Sequence, residues 1–504
     1  MNAGIMKQRN AGILLPLFSL PSLFGMGDLG PEVNKFVDFL QKSGQTYWQL
    51  LPLNPTELKS GHSPYSSISS MAGNILYISP ELLVEEGLLD KEKLAASHIP
   101  FAQYINYAHV EEVKNKLFDE AYLNFCKGNF PIHEKAFNIF CQKEAGWLDD
   151  FALYVTLKNS TNNTPWYEWP QTYKDRNTNA LNALLQTHLA EVTKIKWLQY
   201  IFFQQWQMAK AYCNEKDIKI FGDLSFYVSY DSADIWANPS LFKLDKKSAM
   251  TAIAGVPPDY FSATGQLWNM PIYNWKQMKA TNYNWWIDRL RKNLELFDVL
   301  RLDHFRAFES YWEVPAGEET AINGKWVKGP GKGFFDAVKK ALGSLPFVAE
   351  DLGLDLDDVY ALRDQLGMPG MRVLQFAWGG YMPSSVHIPH NYVPNSIVYT
   401  GTHDNNTTKG WFRNVTHDIR EQVNEYTGTH VHEGNVHEVM WRMAYASSAQ
   451  TAILPIQDVL GLDEHAKINT PGKPDGNWQW RLAPDALNYW VEMHLLTWAK
   501  MYNR

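Results

Sequence analysis

The stretch VLRLDHFRAF, residues 299–308, begins as an apolar run and ends in closely spaced polar residues. Its second half carries Arg301, Asp303, His304 and Arg306. Four polar side chains this close together are costly in a core, because each needs a hydrogen-bonding partner or water. The pattern therefore predicts a buried strand whose end opens onto a polar site.

Seven further apolar runs end in polar or Gly-rich residues in the same way. The eight predicted strands are GILLPL (12–17), YWQLLPL (47–53), IFGDLSFYV (220–228), VLRLD (299–303), FVAED (347–351), RVLQFAW (372–378), SIVYTGTHD (396–404) and TAILPIQD (451–458). Amphipathic spacing predicts helices between them, for example over 284–296 and 355–366. Strands alternating with helices indicate a parallel sheet, and eight such units predict one α/β domain, a (β/α)₈ TIM barrel over residues 1–504.

Insertions interrupt this repeat. Residues 80–215 carry long amphipathic patterns, such as EVTKIKWLQYIFFQQWQMAKAY (191–212), and predict a mostly helical insertion subdomain between the second and third strands. Residues 255–275, GVPPDYFSATGQLWNMPIYNW, are rich in Pro, Gly and aromatic residues. Long loops of this kind often line substrate clefts in enzymes, so we expect 255–275 to cover one. The stretch INTPGKPDGNWQW (468–480) has a similar composition.

Composition limits the class of ligand. The chain has 46 Lys and Arg against 54 Asp and Glu, a net charge of −8, and no long basic run. This balance argues against nucleic acid and against an anionic membrane surface as partners. The aromatic content of 14% leaves rings available for a sugar-binding groove, although ordinary core packing accounts for most of them.

The cysteines and the N-terminal residues indicate the compartment. Three cysteines, an odd number without metal-ligand spacing, argue against a disulfide framework and a zinc site and favour a reducing cytoplasm. Lys7 and Arg9 before GILLPLFSLPSLFG mimic a secretory signal. Pro16 and Pro21 interrupt that run and no clean cleavage site follows, so we expect a cytoplasmic protein without membrane spans.

Three predicted strands end in acids: Asp303, Glu350 and Asp404. An acid at the end of a strand, taken alone, is more often an ion-pair partner or a helix N-cap than a catalytic group. Together they match retaining glycosidases, in which two carboxyl groups flank an oxocarbenium-like transition state. We assign Asp303 as the nucleophile and Glu350 as the acid/base. Asp404 is expected to hold sugar hydroxyls so that the ring distorts towards the transition state.

Arg301, His304 and His403 accompany these acids. Arg301 is two residues before Asp303 and so on the same face of the strand, and its charge is expected to lower the pKa of Asp303 and keep it ionised. The two histidines could donate hydrogen bonds to the sugar or be structural. A metal-dependent hydrolase also places His and Asp at strand ends. No HxH pair lies on an early predicted strand and no Lys is in an obvious bridging position, as that class would require, so we expect neither a metal nor an organic cofactor.

Beyond these residues, the chain resembles the 4-α-glucanotransferases called amylomaltases or disproportionating enzymes, glycoside hydrolase family 77 of the α-amylase clan. The resemblance runs nearly end to end. It rests on GILLPLFSLPSLFGMGDLG, HSPYSSISSMAGN, PWYEWP, FGDLSFYVSYDSADIWANP, GVPPDYFSATGQLWNMPIY, RLDHFRAF, NGKWVKGPG, VAEDLG, HIPHNY and YTGTHDNNTTKGW. Ser225 stands where the family often has Pro, and Trp378 where Phe is usual.

The resemblance implies transfer of α-1,4-glucan segments through a covalent glucosyl-enzyme. Maltooligosaccharides and other α-1,4-glucans would be donors and acceptors, and glucose an acceptor. It gives Asp303, Glu350 and Asp404 the roles assigned above. It adds substrate-binding positions at Tyr65, Asp223, Asp259, Tyr260, Phe261, Gln266, Trp268, Arg301, His304 and His403.

Two other functions stay open at this point. An α-amylase-type hydrolase would share the three acids and differ in its products. A catalytically inactive glucan-binding protein would keep the aromatic residues but would not need Asp303, Glu350 and Asp404 together.

Overall fold

The computed structural model describes residues 8–128, 130–258, 262–473 and 475–504. The strands in chain order are β1 (Asn10–Leu14), β2 (Tyr47–Gln49), β3 (Lys219–Leu224), β4 (Ala252–Val256), β5 (Gln266–Pro271), β6 (Val299–Leu302), β7 (Ser310–Pro315), β8 (Lys325–Lys328), β9 (Phe347–Ala349), β10 (Gly370–Val373), β11 (Ser396–Tyr399) and β12 (Thr451–Pro455).

Eight of these strands close into a parallel barrel. The order around it is β1-β12-β11-β10-β9-β6-β3-β2, and β1 closes the ring by pairing with both β2 and β12. Apolar side chains from the strands fill its interior, among them Phe221, Val299, Met371 and Ile453. Packing on both faces explains why these strands read as continuous apolar runs. The predicted TIM barrel is confirmed.

The helices lie between and beyond the strands. They are α1 (Pro31–Lys42), α2 (Pro80–Glu85), α3 (Lys91–Ala96), α4 (Tyr107–Lys127), α5 (Pro131–Ser160), α6 (Gln171–Lys174), α7 (Thr178–Thr187), α8 (Leu189–Glu215), α9 (Ala233–Ala237), α10 (Trp275–Ala280), α11 (Asn284–Leu296), α12 (Gly331–Leu342), α13 (Asp357–Leu366), α14 (Thr408–Asn414), α15 (His417–Thr427), α16 (Val436–Ala446), α17 (Ile456–Val459) and α18 (Tyr489–Met501). The prediction of 284–296 matches α11, and that of 355–366 begins two residues before α13. Helices α2 to α8 all lie between β2 and β3. In the part of the chain described, no helix has the length and apolar character needed to cross a membrane.

A four-stranded antiparallel sheet lies outside the barrel, in the order β5-β4-β7-β8. The segment 255–275, predicted to cover the cleft, includes the end of β4 and all of β5. Strands β7 and β8 come after β6 in the chain. The sequence did not predict this sheet. Its edge strands β5 and β8 bury few side chains, so they lack the apolar runs that identify the barrel strands.

All eight barrel strands end earlier than predicted. The third was predicted over 220–228 but ends at Leu224, and the seventh was predicted over 396–404 but ends at Tyr399. Apolar residues continue past the end of the third strand, where Phe226, Tyr227 and Val228 are buried in the loop above the barrel. The apolar run therefore extends beyond Leu224, where the hydrogen bonding of the strand stops.

Candidate active site

The three predicted acids lie past the carboxyl ends of barrel strands. Asp303 directly follows β6, Glu350 directly follows β9, and Asp404 lies in the loop after β11. Because these strands are parallel, all three acids are on one face of the barrel, the face that carries the active site in this fold.

Arg301 is a buried cation shared by two carboxylates. Its Nη1 donates to both carboxylate oxygens of Asp223 at 2.8 Å and to Oδ1 of Asp303 at 2.9 Å. Asp223 lies on β3 and Arg301 on β6, and the two residues are paired in the barrel register. Parallel strand pairing therefore places a fixed positive charge beside Asp303.

Tyr65 and His403 extend this network. The Tyr65 hydroxyl donates to Asp223 Oδ2 at 2.8 Å and lies 2.7 Å from His403 Nε2. Since that hydroxyl has a single proton, it accepts from His403, which assigns the Nε2–H tautomer to the imidazole. The two rings stack with centroids 5.4 Å apart. Burial lowers the pKa of His403, so its neutral form is favoured.

Asp404 is the most open of the three acids, with 43% of its side chain exposed. Its Oδ1 accepts from Asn469 Nδ2 at 2.7 Å, and its Oδ2 lies 3.4 Å from His403 Nε2. A carboxylate held on one side and open on the other is suited to binding sugar hydroxyls.

Two backbone amides hold the Glu350 carboxyl group. His304 N donates to Oε2 at 2.8 Å, and Leu352 N donates to Oε1 at 3.1 Å. His304 has φ 48°, a left-handed conformation that is uncommon outside glycine and often marks functional sites. The segment after Asp303 thus also orients Glu350.

The pKa of Asp303 is raised to about 6. Burial is the largest cause, Arg301 opposes it, and the carboxylates of Asp223 and Asp404 reinforce it. Arg301 lowers this pKa, as predicted, but the expected net lowering is wrong, because burial and the two neighbouring acids outweigh one cation.

Glu350 has the higher pKa of the two, raised to about 8. Burial is again the largest cause; Arg301 lowers this pKa and the charge of Asp303 raises it. At neutral pH the site therefore favours an ionised Asp303 beside a protonated Glu350. Divergent pKa values in a carboxyl pair are typical of a nucleophile and a general acid.

His304 and Trp268 lie together at the side of the cleft next to the outer sheet. Their ring centroids are 4.8 Å apart in an edge-to-face contact, and the Trp268 indole donates to Gln266 Oε1 at 3.2 Å. Burial and the charge of Arg306 lower the pKa of His304 to about 3, so its ring is neutral. These three predicted residues are therefore neighbours in space.

The remaining candidates separate into two groups. Asp259, Tyr260 and Phe261 lie outside the residues that the structure describes. Arg306 is the fourth polar residue of the stretch 299–308, and its guanidinium donates to the backbone carbonyls of Leu354 and Asp355.

Sequence reasoning missed Asn469 and Trp478. Asn469 holds Asp404, and the Trp478 ring lies 5.8 Å from that of Tyr65 and 6.1 Å from that of His403. Both belong to the stretch 468–480, whose composition marks it as a functional loop without singling out either residue.

Comparisons with known proteins identify the family of this chain. The family model described as 4-alpha-glucanotransferase matches residues 15–487. The 4-alpha-glucanotransferase of Aquifex aeolicus is 45% identical over 477 residues, 95% of this chain and 96% of that protein. The 4-alpha-glucanotransferase of Streptococcus pneumoniae is 44% identical over 503 residues, 99% of this chain and 98% of that protein.

A solved structure extends the match to three dimensions. The amylomaltase from Streptococcus agalactiae, determined in complex with acarbose, superposes with a TM-score of 0.95 at 36% identity, covering 99% of this chain and 100% of that one. The matches in sequence and in structure each extend over nearly the whole chain. The chain therefore belongs to glycoside hydrolase family 77, the family of the 4-α-glucanotransferases.

Proposed function

We propose that this 4-α-glucanotransferase transfers α-1,4-glucan segments by a retaining double displacement. The observation that carries the proposal is the pair Asp303 and Glu350, whose pKa values of about 6 and about 8 favour one ionised and one protonated carboxyl group at neutral pH. Retaining enzymes of this kind use a carboxylate nucleophile and a carboxylic acid that later acts as a base.

In the first step Glu350 gives its proton to the glycosidic oxygen while a carboxylate oxygen of Asp303 bonds to C1. The C1–O bond breaks, the shortened glucan leaves as an alcohol, and a β-linked ester forms. In the second step Glu350 takes the proton of an incoming sugar 4-hydroxyl, whose oxygen attacks C1 and displaces Asp303. The α-1,4 bond is restored, and these residues supply every proton transfer without a metal or an organic cofactor.

The surrounding residues fit the donor sugar. Asp404 is open to solvent and suited to its hydroxyls, while Arg301, Tyr65 and His403 form a network fixed through the buried Asp223. Maltooligosaccharides are the proposed donors, and glucose or another maltooligosaccharide the acceptor. The acarbose in the Streptococcus agalactiae amylomaltase supports an oligosaccharide ligand.

The insertions complete the proposal. Residues 255–275, which include Asp259, Tyr260 and Phe261, would cover the glucan, and Trp268 at the His304 ring would help exclude water. Residues 80–215 would form a helical subdomain beside one barrel domain, supported by helices α2 to α8. A cytoplasmic location is proposed from the cysteine content.

Incubation with maltotriose tests the reaction class. A transferase yields glucose together with maltodextrins longer than maltotriose. An α-amylase-type hydrolase yields only glucose and maltose, and that result would contradict the proposal. A protein that binds maltotriose without changing it would be the inactive glucan-binding protein.

The Asp303→Asn variant tests the nucleophile. Turnover should fall by at least about four powers of ten, because the amide cannot form the ester. Near-normal turnover in a correctly folded variant would require a different nucleophile.

A further inference from the structure

Arg306 connects the loop after β6 to the loop after β9 by hydrogen bonds. It lies three residues after Asp303, and its Nη1 donates to the carbonyl of Leu354 at 3.0 Å. Its Nη2 lies 3.4 Å from the carbonyl of Asp355. The loop after β6 is thereby tied to the loop after β9, which begins at Glu350.

The two tied loops are the two that hold Glu350. The loop after β6 supplies the His304 amide, and the loop after β9 supplies the Leu352 amide. Each contains a non-glycine residue in the left-handed region, His304 at φ 48° and Asp355 at φ 52°. Such conformations persist only where surrounding contacts enforce them, and the Arg306 bonds are contacts of this kind.

The Trp326 ring contacts the Arg306 guanidinium. The guanidinium carbon lies 4.1 Å from the centroid of the Trp326 ring, within cation–π range. Trp326 is on the edge strand β8, opposite Trp312 on β7, with ring centroids 5.2 Å apart. The Trp312 indole donates to the carbonyl of Ala321 at 2.8 Å. The Trp312 ring, which packs against Trp326, is therefore held in place by a hydrogen bond.

Both edge strands of the outer sheet thus contact the loop after β6. Trp268 on β5 contacts the His304 ring, and Trp326 on β8 covers Arg306. Neither Arg306 nor the stretch NGKWVKGPG around Trp326 has a role in the reaction proposed above.

We propose that Arg306, held by Trp326, is a positioning residue for the general acid: it fixes the two backbone amides that aim the Glu350 carboxyl group at the glycosidic oxygen. The inference rests on the proposed function, because it requires Glu350 to be the acid/base. It predicts a defect confined to steps in which Glu350 moves a proton.

Leaving-group chemistry isolates that defect. Maltotriose and α-maltosyl fluoride place the same maltosyl unit on Asp303. With maltotriose the departing glucose oxygen needs the proton of Glu350, whereas with the fluoride the C1–F bond breaks to release fluoride ion without that proton. A general fault in folding or in the nucleophile slows both reactions, but a misaimed acid slows only the first.

The measurement is the first-turnover rate with enzyme in excess, followed as glucose release and as fluoride release. Glu350→Gln is the reference for loss of the acid, and Arg306→Gln and Trp326→Ala are the tests. Arg420→Gln is the matched control for the arginine, since Arg420 also donates to two carbonyls, those of Phe412 and Arg413, and lies 5.6 Å from an aromatic ring. Trp490→Ala, at an indole that is 78% exposed, is the control for the tryptophan.

We expect Arg306→Gln to slow glucose release by about a hundredfold and fluoride release by less than about threefold. Trp326→Ala should slow glucose release by about tenfold with the same selectivity, and both controls should match the unchanged enzyme. Equal slowing of both reactions, or no slowing of either, in Arg306→Gln and Trp326→Ala would overturn the inference. If Glu350→Gln itself slowed both reactions equally, the acid assignment in the proposed function would fail, and the inference with it.

Discussion

Replacing Asp223 by Asn should lower activity while making the nucleophile easier to ionise. Asp223 is fully buried and accepts from both Arg301 and Tyr65. Because Asp223 and Asp303 both accept from Arg301 Nη1, their nearest oxygens are at most about 6 Å apart. The negative charge of Asp223 opposes the ionisation of Asp303, and the Asn variant removes that charge.

The size of the effect follows from the distance. At about 6 Å and an effective dielectric constant of about 20, one unit charge contributes roughly 3 kcal/mol, about a hundredfold in an ionisation constant. Solvent at the partly open Asp303 reduces this, so the acidic limb of the kcat/KM profile should move to lower pH by about 1 to 2 units. The maximum of kcat/KM should fall about a hundredfold, because Asn offers Arg301 and Tyr65 one acceptor oxygen in place of two and no charge to fix them.

Stability should also fall in this variant, since breaking a buried ion pair from one side costs about 3 kcal/mol or more. Asp28→Asn is the matched control, because Asp28 forms a buried pair with Lys114 at 3.0 Å near the start of α1. Both variants should unfold at lower denaturant concentration, but only Asp223→Asn should move the acidic limb. If that limb stays in place or moves to higher pH, Asp223 does not set the ionisation of Asp303.

The remaining predictions concern the acids and the cleft. The kcat/KM should rise with pH through about 6, as Asp303 ionises, and fall through about 8, as Glu350 loses its proton. If the Glu350→Gln variant kept the alkaline limb, that limb would belong to another group. Asn469→Ala should lower kcat about tenfold, because Asp404 loses its amide donor; steady-state kinetics would refute this if only KM changed. Trp268→Ala should raise the share of hydrolysis, measured as reducing ends gained per glucose released from maltotriose, and an unchanged share would show that this ring does not exclude water.

The barrel could be predicted from the sequence because its strands are buried on both faces. Each reads as an apolar run that needs no alternation to be recognised. The outer sheet could not be predicted, because in β5 most side chains are half-exposed and in β8 most are exposed. What identifies such strands is their pairing, for example Trp312 with Trp326, and pairing is not visible in a single sequence.

The same distinction holds within the site. Asp303, Glu350 and Asp404 were found because each follows an apolar run, a local signal. Asn469 was not, because it reaches Asp404 from a loop 65 residues further along the chain. The net pKa of Asp303 was likewise out of reach, since Asp223 comes from another strand and burial depends on the whole cleft.

The neighbours of the two catalytic candidates explain how one carboxyl group can be acid and then base. Asp303 has a cation at 2.9 Å, whereas Glu350 is held by backbone amides and feels the charge of Asp303, which raises the Glu350 pKa. In the proposed ester Asp303 carries no charge, so that repulsion disappears while Arg301, which lowers the same pKa, remains. In the proposed mechanism Glu350 thus becomes a stronger acid once its proton has been used, and it stays ionised to accept the proton of the incoming hydroxyl.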